Sequence, residues 1–171
     1  MAAHIEPAGW KMLMRALLAF LALPCVVAGV VPLLILGGNH RLARTAPAGG
    51  ALLAGGLFLL LWCARDFYVS GRGTLAPWDP PKRLVAVGPY RFVRNPIYLA
   101  VLALVAGWGL AFGSLPLALY LMVLTVGFHL RVLLGEEPWL HRRFGPEWED
   151  YSSRVPRWLP RPPPRGNDGR A

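Results

Sequence analysis

The chain has 171 residues, 55% of them hydrophobic and 16% charged, with a formal net charge of +9 at neutral pH. That length suits one domain, and its long apolar runs point to an integral membrane protein of all-α class. The positive charge lies in loops and a tail with no recognition motif beside it, so it reads as a topology determinant and a lipid-headgroup contact, not as a nucleic-acid surface.

The first span is expected over Met12 to Leu36, with a kink from Pro24 and Pro32. Lys11 and Arg15 before it mimic a signal peptide, but the run is too long and no A-x-A site closes it. Gly37 to Ala48 reads as a polar loop. Gly49 to Ala64 reads as the second span, reaching about Val69 if Arg65 and Asp66 lie at the interface. Cys25 and Cys63 fall inside apolar runs and read as small core residues, with no metal-ligand or disulfide spacing.

Ser70 to Asn95 is a basic, turn-rich loop. Gly88-Pro89 marks one turn, because Gly tolerates positive φ and Pro fixes φ. Asn95-Pro96 marks a second and suits a helix start, with Asn as N-cap and Pro at the first helical position. Arg91 and Arg94 lie between the turns. Guanidiniums beside a helix N-terminus make an anion-binding arrangement. Pro96 to Phe112 is the third span, Gly113-Ser114-Leu115-Pro116 an uncharged turn, and Leu117 to Leu134 the fourth span.

The last two spans form a tight hairpin, so the basic loop and the basic C-terminal region share a side. The positive-inside rule makes that side cytoplasmic, and four spans put both termini there. Beyond the fourth span, Pro138 is expected to begin a helix, Gly145-Pro146 to break it, and a second short helix to follow. Leu140, Phe144, Trp148, Tyr151 and Val155 recur at helical spacing. Their apolar face suits lying on the membrane or packing over the basic loop. The expected organisation is one domain over 1–160. It comprises two N-terminal spans in 1–69, then a catalytic loop, helical hairpin and C-terminal amphipathic helices in 70–160. A disordered basic tail over 161–171 follows.

The hairpin brings Arg91, Arg94, Asn95 and Tyr98 near Glu136 and Glu137. Opposed charges at a membrane surface suit a zwitterionic ligand, the arginines taking its anion and the glutamates its cation. The plainer reading is an Arg94–Glu136 bridge between helix ends.

VGPYRFVRNPIYLA, a hydrophobic hairpin, and then EEPWLHRRFGPEWEDYSSRVPRWLP resemble the isoprenylcysteine carboxyl methyltransferases and their phospholipid methyltransferase relatives. The likeness covers about Lys82 to Pro160. It implies methyl transfer from S-adenosyl-L-methionine to a lipid-like or hydrophobic acceptor. It also implies a cofactor site lined by Lys82, Arg83, Leu84, Val85, Tyr90, Arg94, Asn95, Pro96, Ile97, Tyr98, Glu136 and Glu137.

Two positions depart from the pattern. Asn95 stands where the family often has His, so a role for a titrating imidazole is lost there. Val132 stands where the prenylcysteine enzymes carry a substrate-contacting arginine, with Arg131 one residue away, about 100° around a helix. The candidates for chemistry are Arg94, Asn95, His129 and Arg131. His129 is the imidazole that would act as a base, against a reading in which it only bonds a neighbouring helix. Alternative functions are an NADPH-dependent sterol-type reductase and a membrane assembly protein without catalysis. No metal is expected.

Overall fold

The computed structural model describes residues 24–38, 41–71 and 83–160. Every regular element among them is helical. The beginning of the first expected span, Lys82 and the tail from Arg161 lie outside the described residues.

The first expected span continues as a π-helical segment, Val26–Val30, that runs into α1, Val31–Leu36. Pro32 accounts for the irregularity. It has no N–H to give to the carbonyl one turn back, and its ring crowds that carbonyl. Side chains from other helices supply donors instead. Trp108 Nε1 donates to the Ala28 carbonyl at 2.9 Å, and the Tyr120 hydroxyl donates to that of Val27 at 3.0 Å.

Helix α2, Ala46–Gly71, starts before and ends beyond the expected second span. It lies antiparallel to α3, Pro96–Phe112. Their seam is made of glycine. Gly49 and Gly56 of α2 are seven residues apart, as are Ala100 and Gly107 of α3. A Cβ on Gly49 would fall 2.5 Å from the Ala111 nitrogen, and one on Gly107 would fall 2.9 Å from the Gly49 carbonyl oxygen. The two backbones therefore touch, which is how helices gain dispersion energy where water drives nothing together. Ala100, Val101 and Val105 of α3 are buried, and α3 is the central helix.

Gly113, at φ 60°, ends α3 in the left-handed region. Ser114 then caps α4, Leu115–Arg131, by accepting from the Leu117 amide at 3.5 Å. Helix α4 thus begins two residues before the expected Leu117, because Pro116 sits in a first turn that needs no N–H from it. At its other end nothing separates it from the helix expected to begin at Pro138. The chain passes through a π-helical segment, Val132–Glu136, straight into α5, Glu137–Phe144. Pro138 lies in the first turn of α5 without starting a separate helix. Ala46–Asp66 and Leu115–Phe144 are long and apolar enough to cross a membrane, by length and composition. Helix α3, with 17 residues, is shorter.

Gly145, at φ 50°, turns the chain into α6, Pro146–Arg154. Trp148, Tyr151 and Val155 are buried together against Leu84, Leu140 and Phe144. Of the two placements open to this apolar face, the structure gives packing over the basic loop. The Tyr151 hydroxyl donates to the Tyr90 carbonyl at 2.8 Å and fixes that contact.

Candidate functional site

The basic loop is positioned from below by α2. Gly88 opens a 3-10 turn, Gly88–Arg91, at φ 53°. Its missing side chain is needed twice, because a Cβ there would collide with the Asp66 carboxylate. Asp66 was expected at an interface, yet it is 6% exposed. Arg65, beside it, reaches solvent and donates to it at 3.0 Å.

Val85 and Tyr90 pack with Cys63 into an apolar cluster that also takes Ile97. Burial pushes the Tyr90 phenol well above its ordinary range, so it stays neutral. Arg83 and Arg91 are exposed, Leu84 lies under the C-terminal helices, and Pro96 is buried. Leu84, Val85, Tyr90, Pro96 and Ile97 therefore build the wall and floor of the loop, and Arg83 and Arg91 face outward.

Arg94, Asn95, Tyr98, His129, Arg131, Glu136 and Glu137 gather at the adjoining ends of α3 and α4. Asn95 is the N-cap of α3 by backbone position, but its amide donates to the Arg157 carbonyl at 3.2 Å and not to its own helix. The expected Arg94–Glu136 bridge is replaced by Arg94–Glu137, at 2.9 Å. Consecutive helical residues point about 100° apart, so the two glutamates face different partners.

Glu137 accepts from Arg94 and is gripped by Arg157 through Nε and Nη2, both at 2.7 Å. Its side chain is 16% exposed. Hydrogen bonding to Glu137 holds the Arg157 guanidinium above its ordinary range. Burial lowers that of Arg94, and Glu137 opposes this. Arg94 also lies over the Trp148 ring, 5.7 Å from its centroid. Its Nε is buried with no hydrogen-bond partner among the described residues.

Glu136 is the more open carboxylate, at 35% exposure. It accepts from the Tyr98 hydroxyl and from Arg131 Nε, the latter at 2.9 Å. Arg131 and Glu136 are five residues apart. In an α-helix that separation would set them about 140° from each other. The π segment between them bonds residue i to i+5 and brings them onto one side. Val132, at the position where the prenylcysteine enzymes are expected to carry an arginine, is fully buried. Arg131 instead reaches Glu136 and, at 3.0 Å, the Tyr98 hydroxyl.

A strap after α6 closes over this cluster. The Arg94 amide donates to the Pro156 carbonyl at 2.9 Å. Trp158 Nε1 donates to His129 Nδ1 at 3.0 Å. His129 thus bonds the strap, not a neighbouring span. Arg157 and Trp158 have no role in the sequence reading. The signal available was a basic-aromatic stretch between Pro156 and Pro160, which helical periodicity cannot place. Among the described residues no three His, Cys, Asp or Glu side chains gather in a way suited to a metal ion.

Three guanidiniums and two carboxylates leave the cluster net positive. The fixed donors suit an anion, and Glu136 suits a cation beside it. Comparison with known proteins bears on the same segment. The nickel-cobalt-cadmium resistance protein NccN of Alcaligenes xylosoxydans xylosoxydans is 31% identical over 142 residues, 80% of this chain and 62% of that protein. The cobalt-zinc-cadmium resistance protein CzcN of Cupriavidus metallidurans is 33% identical over 101 residues, 59% of this chain and 42% of that protein. The chain thus spans less than two thirds of either relative. No solved structure matches significantly. A family model described as phospholipid methyltransferase matches residues 45–147, from the first turn of α2 to α6, including Arg94, Tyr98, Arg131 and both glutamates. With that match covering more than half its length, the chain belongs to the phospholipid methyltransferase family.

Proposed function

We propose that the protein transfers a methyl group from S-adenosylmethionine to a hydrophobic, lipid-like acceptor at the cytoplasmic face of a membrane. The observation that carries this reading is the meeting of Arg94, Tyr98, Arg131, Glu136 and Glu137 in one cluster inside the family-matched segment.

The residues present fit such a cofactor, which carries a carboxylate and two cationic groups. The buried Arg94 Nε and the free N–H groups at the start of α3 suit the carboxylate. Glu136 suits a cation, being open on one side, whereas two guanidiniums already neutralise Glu137. This revises the expectation that both glutamates serve the cation. Leu84, Val85, Tyr90 and Ile97 support the site as packing. Bound there, the cofactor supplies an electrophilic methyl group. Held by Arg94 and Glu136, it would offer that carbon to a lone pair of the acceptor. Positioning is then the chain's main task.

The same reading places four spans in the bilayer with both termini cytoplasmic, since the five basic residues of the Ser70–Asn95 loop outweigh Arg41 and Arg44. Exposed apolar side chains such as Phe58, Leu119, Met122 and Val126 suit contact with lipid. The test is to incubate membranes containing the protein with methyl-labelled S-adenosylmethionine and follow the label into lipid. Calorimetry on purified protein should detect S-adenosylmethionine and not NADPH. Binding of NADPH alone would turn the reading toward a reductase, and binding of neither toward a non-catalytic role.

A further inference from the structure

His129 lies on α4 with its imidazole at the edge of the cluster, and Trp158 is its partner. An indole N–H donates and has no lone pair with which to accept. The bond therefore has one polarity. Trp158 donates, and His129 Nδ1 accepts. A neutral imidazole has one proton and one accepting nitrogen, so the proton is on Nε2. The lone pair that a general base would use is already taken.

Trp158 is well placed to impose this. The strap that carries it is tied down at each preceding residue. The Pro156 carbonyl accepts from Arg94, the Arg157 carbonyl accepts from Asn95, and the Arg157 side chain grips Glu137. The Trp158 ring also faces Tyr98, 6.4 Å between centroids, and Tyr98 is bonded to Glu136. A chain of contacts thus runs from His129 through Trp158 and Tyr98 to the open glutamate. The family match ends at residue 147, so Trp158 is supplied from outside the matched segment.

We propose that Trp158 is a positioning residue that holds His129 as an Nε2–H donor. His129 then hydrogen-bonds an oxygen of the methyl acceptor and does not remove its proton. This rests on the methyl-transfer reading. It selects an acceptor with a hydrogen-bond-accepting oxygen near the methylated atom. A carboxylate or thiolate nucleophile has no proton to lose, and an amine releases its surplus proton to water after transfer.

Nitrogen-15 spectra of the full chain labelled at histidine, in nanodiscs without ligand, decide the tautomer, with His129 assigned from its loss in His129→Gln. The expected result is a single Nε2–H form that relaxes to a mixture in Trp158→Phe. An Nδ1–H form in the wild type, or no change in Trp158→Phe, would overturn the proposal.

A second comparison uses label transfer into membrane lipid. Glutamine can accept from Trp158 and donate onward but cannot act as a base. His129→Gln should keep at least about a third of the wild-type rate, while His129→Leu loses about tenfold, the size of one hydrogen bond. Equal losses in the two variants would mean that His129 is the base. Both variants should bind S-adenosylmethionine within about twofold of wild type, since neither change touches the proposed cofactor contacts. Failure of the wild type to bind it would overturn the proposed function, and the spectra would still decide the tautomer.

Discussion

The two ends of α3 are held by opposite means. Toward its C-terminal end, Gly107 and Ala111 lie against Gly49 of α2 with backbone on backbone, and the Leu53 side chain closes the seam beside them. At its N-terminal end, Arg94 and Tyr98 meet Glu136, Glu137, Arg131 and Arg157, and Arg131, Glu136 and Glu137 each have two partners. The seam has no slack, so a single added atom must move a helix. The cluster is redundant, so a single loss leaves other bonds in place. Damage to the seam should appear as lost folding, whereas damage to the cluster should divide into lost binding at the open Glu136 and lost stability at the enclosed Glu137.

The largest effect is expected at the seam. Gly107→Leu drives carbon into Leu53 and the Gly49 carbonyl, and overpacking against backbone should cost about 3 kcal/mol or more. Gly127→Leu, with nothing within 4 Å of its added Cβ, should melt like wild type. Thermal unfolding in detergent checks both. Equal melting temperatures would mean that the seam yields more than its geometry allows.

The next test divides the glutamates. Glu137→Gln leaves Arg94 and Arg157 facing each other with their shared anion gone. Breaking such a partly buried network should destabilise the fold by about 2–3 kcal/mol. Glu136→Gln should leave the melting temperature nearly unchanged and weaken S-adenosylmethionine binding by about 2 kcal/mol, roughly thirtyfold. If the two variants behave alike in calorimetry and in melting, the assignment of one glutamate to architecture and the other to ligand is wrong.

This division shows where the sequence was legible. The hairpin, the Gly88-Pro89 turn and the Asn95-Pro96 helix start could be read because Gly and Pro act locally. The apolar face of Trp148, Tyr151 and Val155 could be read because burial imposes a period. The pairing of Arg94 with Glu137 could not. It depends on the phase of a helix that carries a π segment, and that segment moves every later residue around the axis. The same shift lets Arg131 reach Glu136. The burial of Asp66 was hidden too, since nothing near it in sequence announces that Gly88 will press against it. Arg157 and Trp158 lie in an irregular strap, where no period exists to place a side chain.

A smaller effect is expected from Arg94→Lys. Lysine keeps the charge and one bond to Glu137 but lacks the planar fork and the stacking on Trp148. Affinity for S-adenosylmethionine should fall about tenfold, or 1.4 kcal/mol. Arg83→Lys, at an exposed loop position, should be neutral. Wild-type binding by Arg94→Lys would reduce Arg94 to a topology residue and return the cluster to a purely structural role.

The smallest effect lies between the two regions, at the bond from Tyr151 to the Tyr90 carbonyl that pins α6 over the loop. Tyr151→Phe removes one buried neutral hydrogen bond and should cost about 1 kcal/mol near neutral pH. The bond needs the phenol protonated. Burial holds the Tyr151 phenol above its ordinary range, and Arg94 nearby opposes that shift only in part. In the unfolded chain the same phenol ionises near pH 10, as free tyrosine does. A group whose folded pKa is raised gives its full stabilisation below the unfolded value and loses it as pH rises toward the folded one. The wild type should therefore lose stability above about pH 10 more steeply than Tyr151→Phe, and the two melting curves should converge there. Comparing the pair cancels the other groups that titrate in that range. Parallel curves from pH 7 upward would show that the phenol is not held by the fold, and that α6 is pinned by Trp148 and Val155 alone.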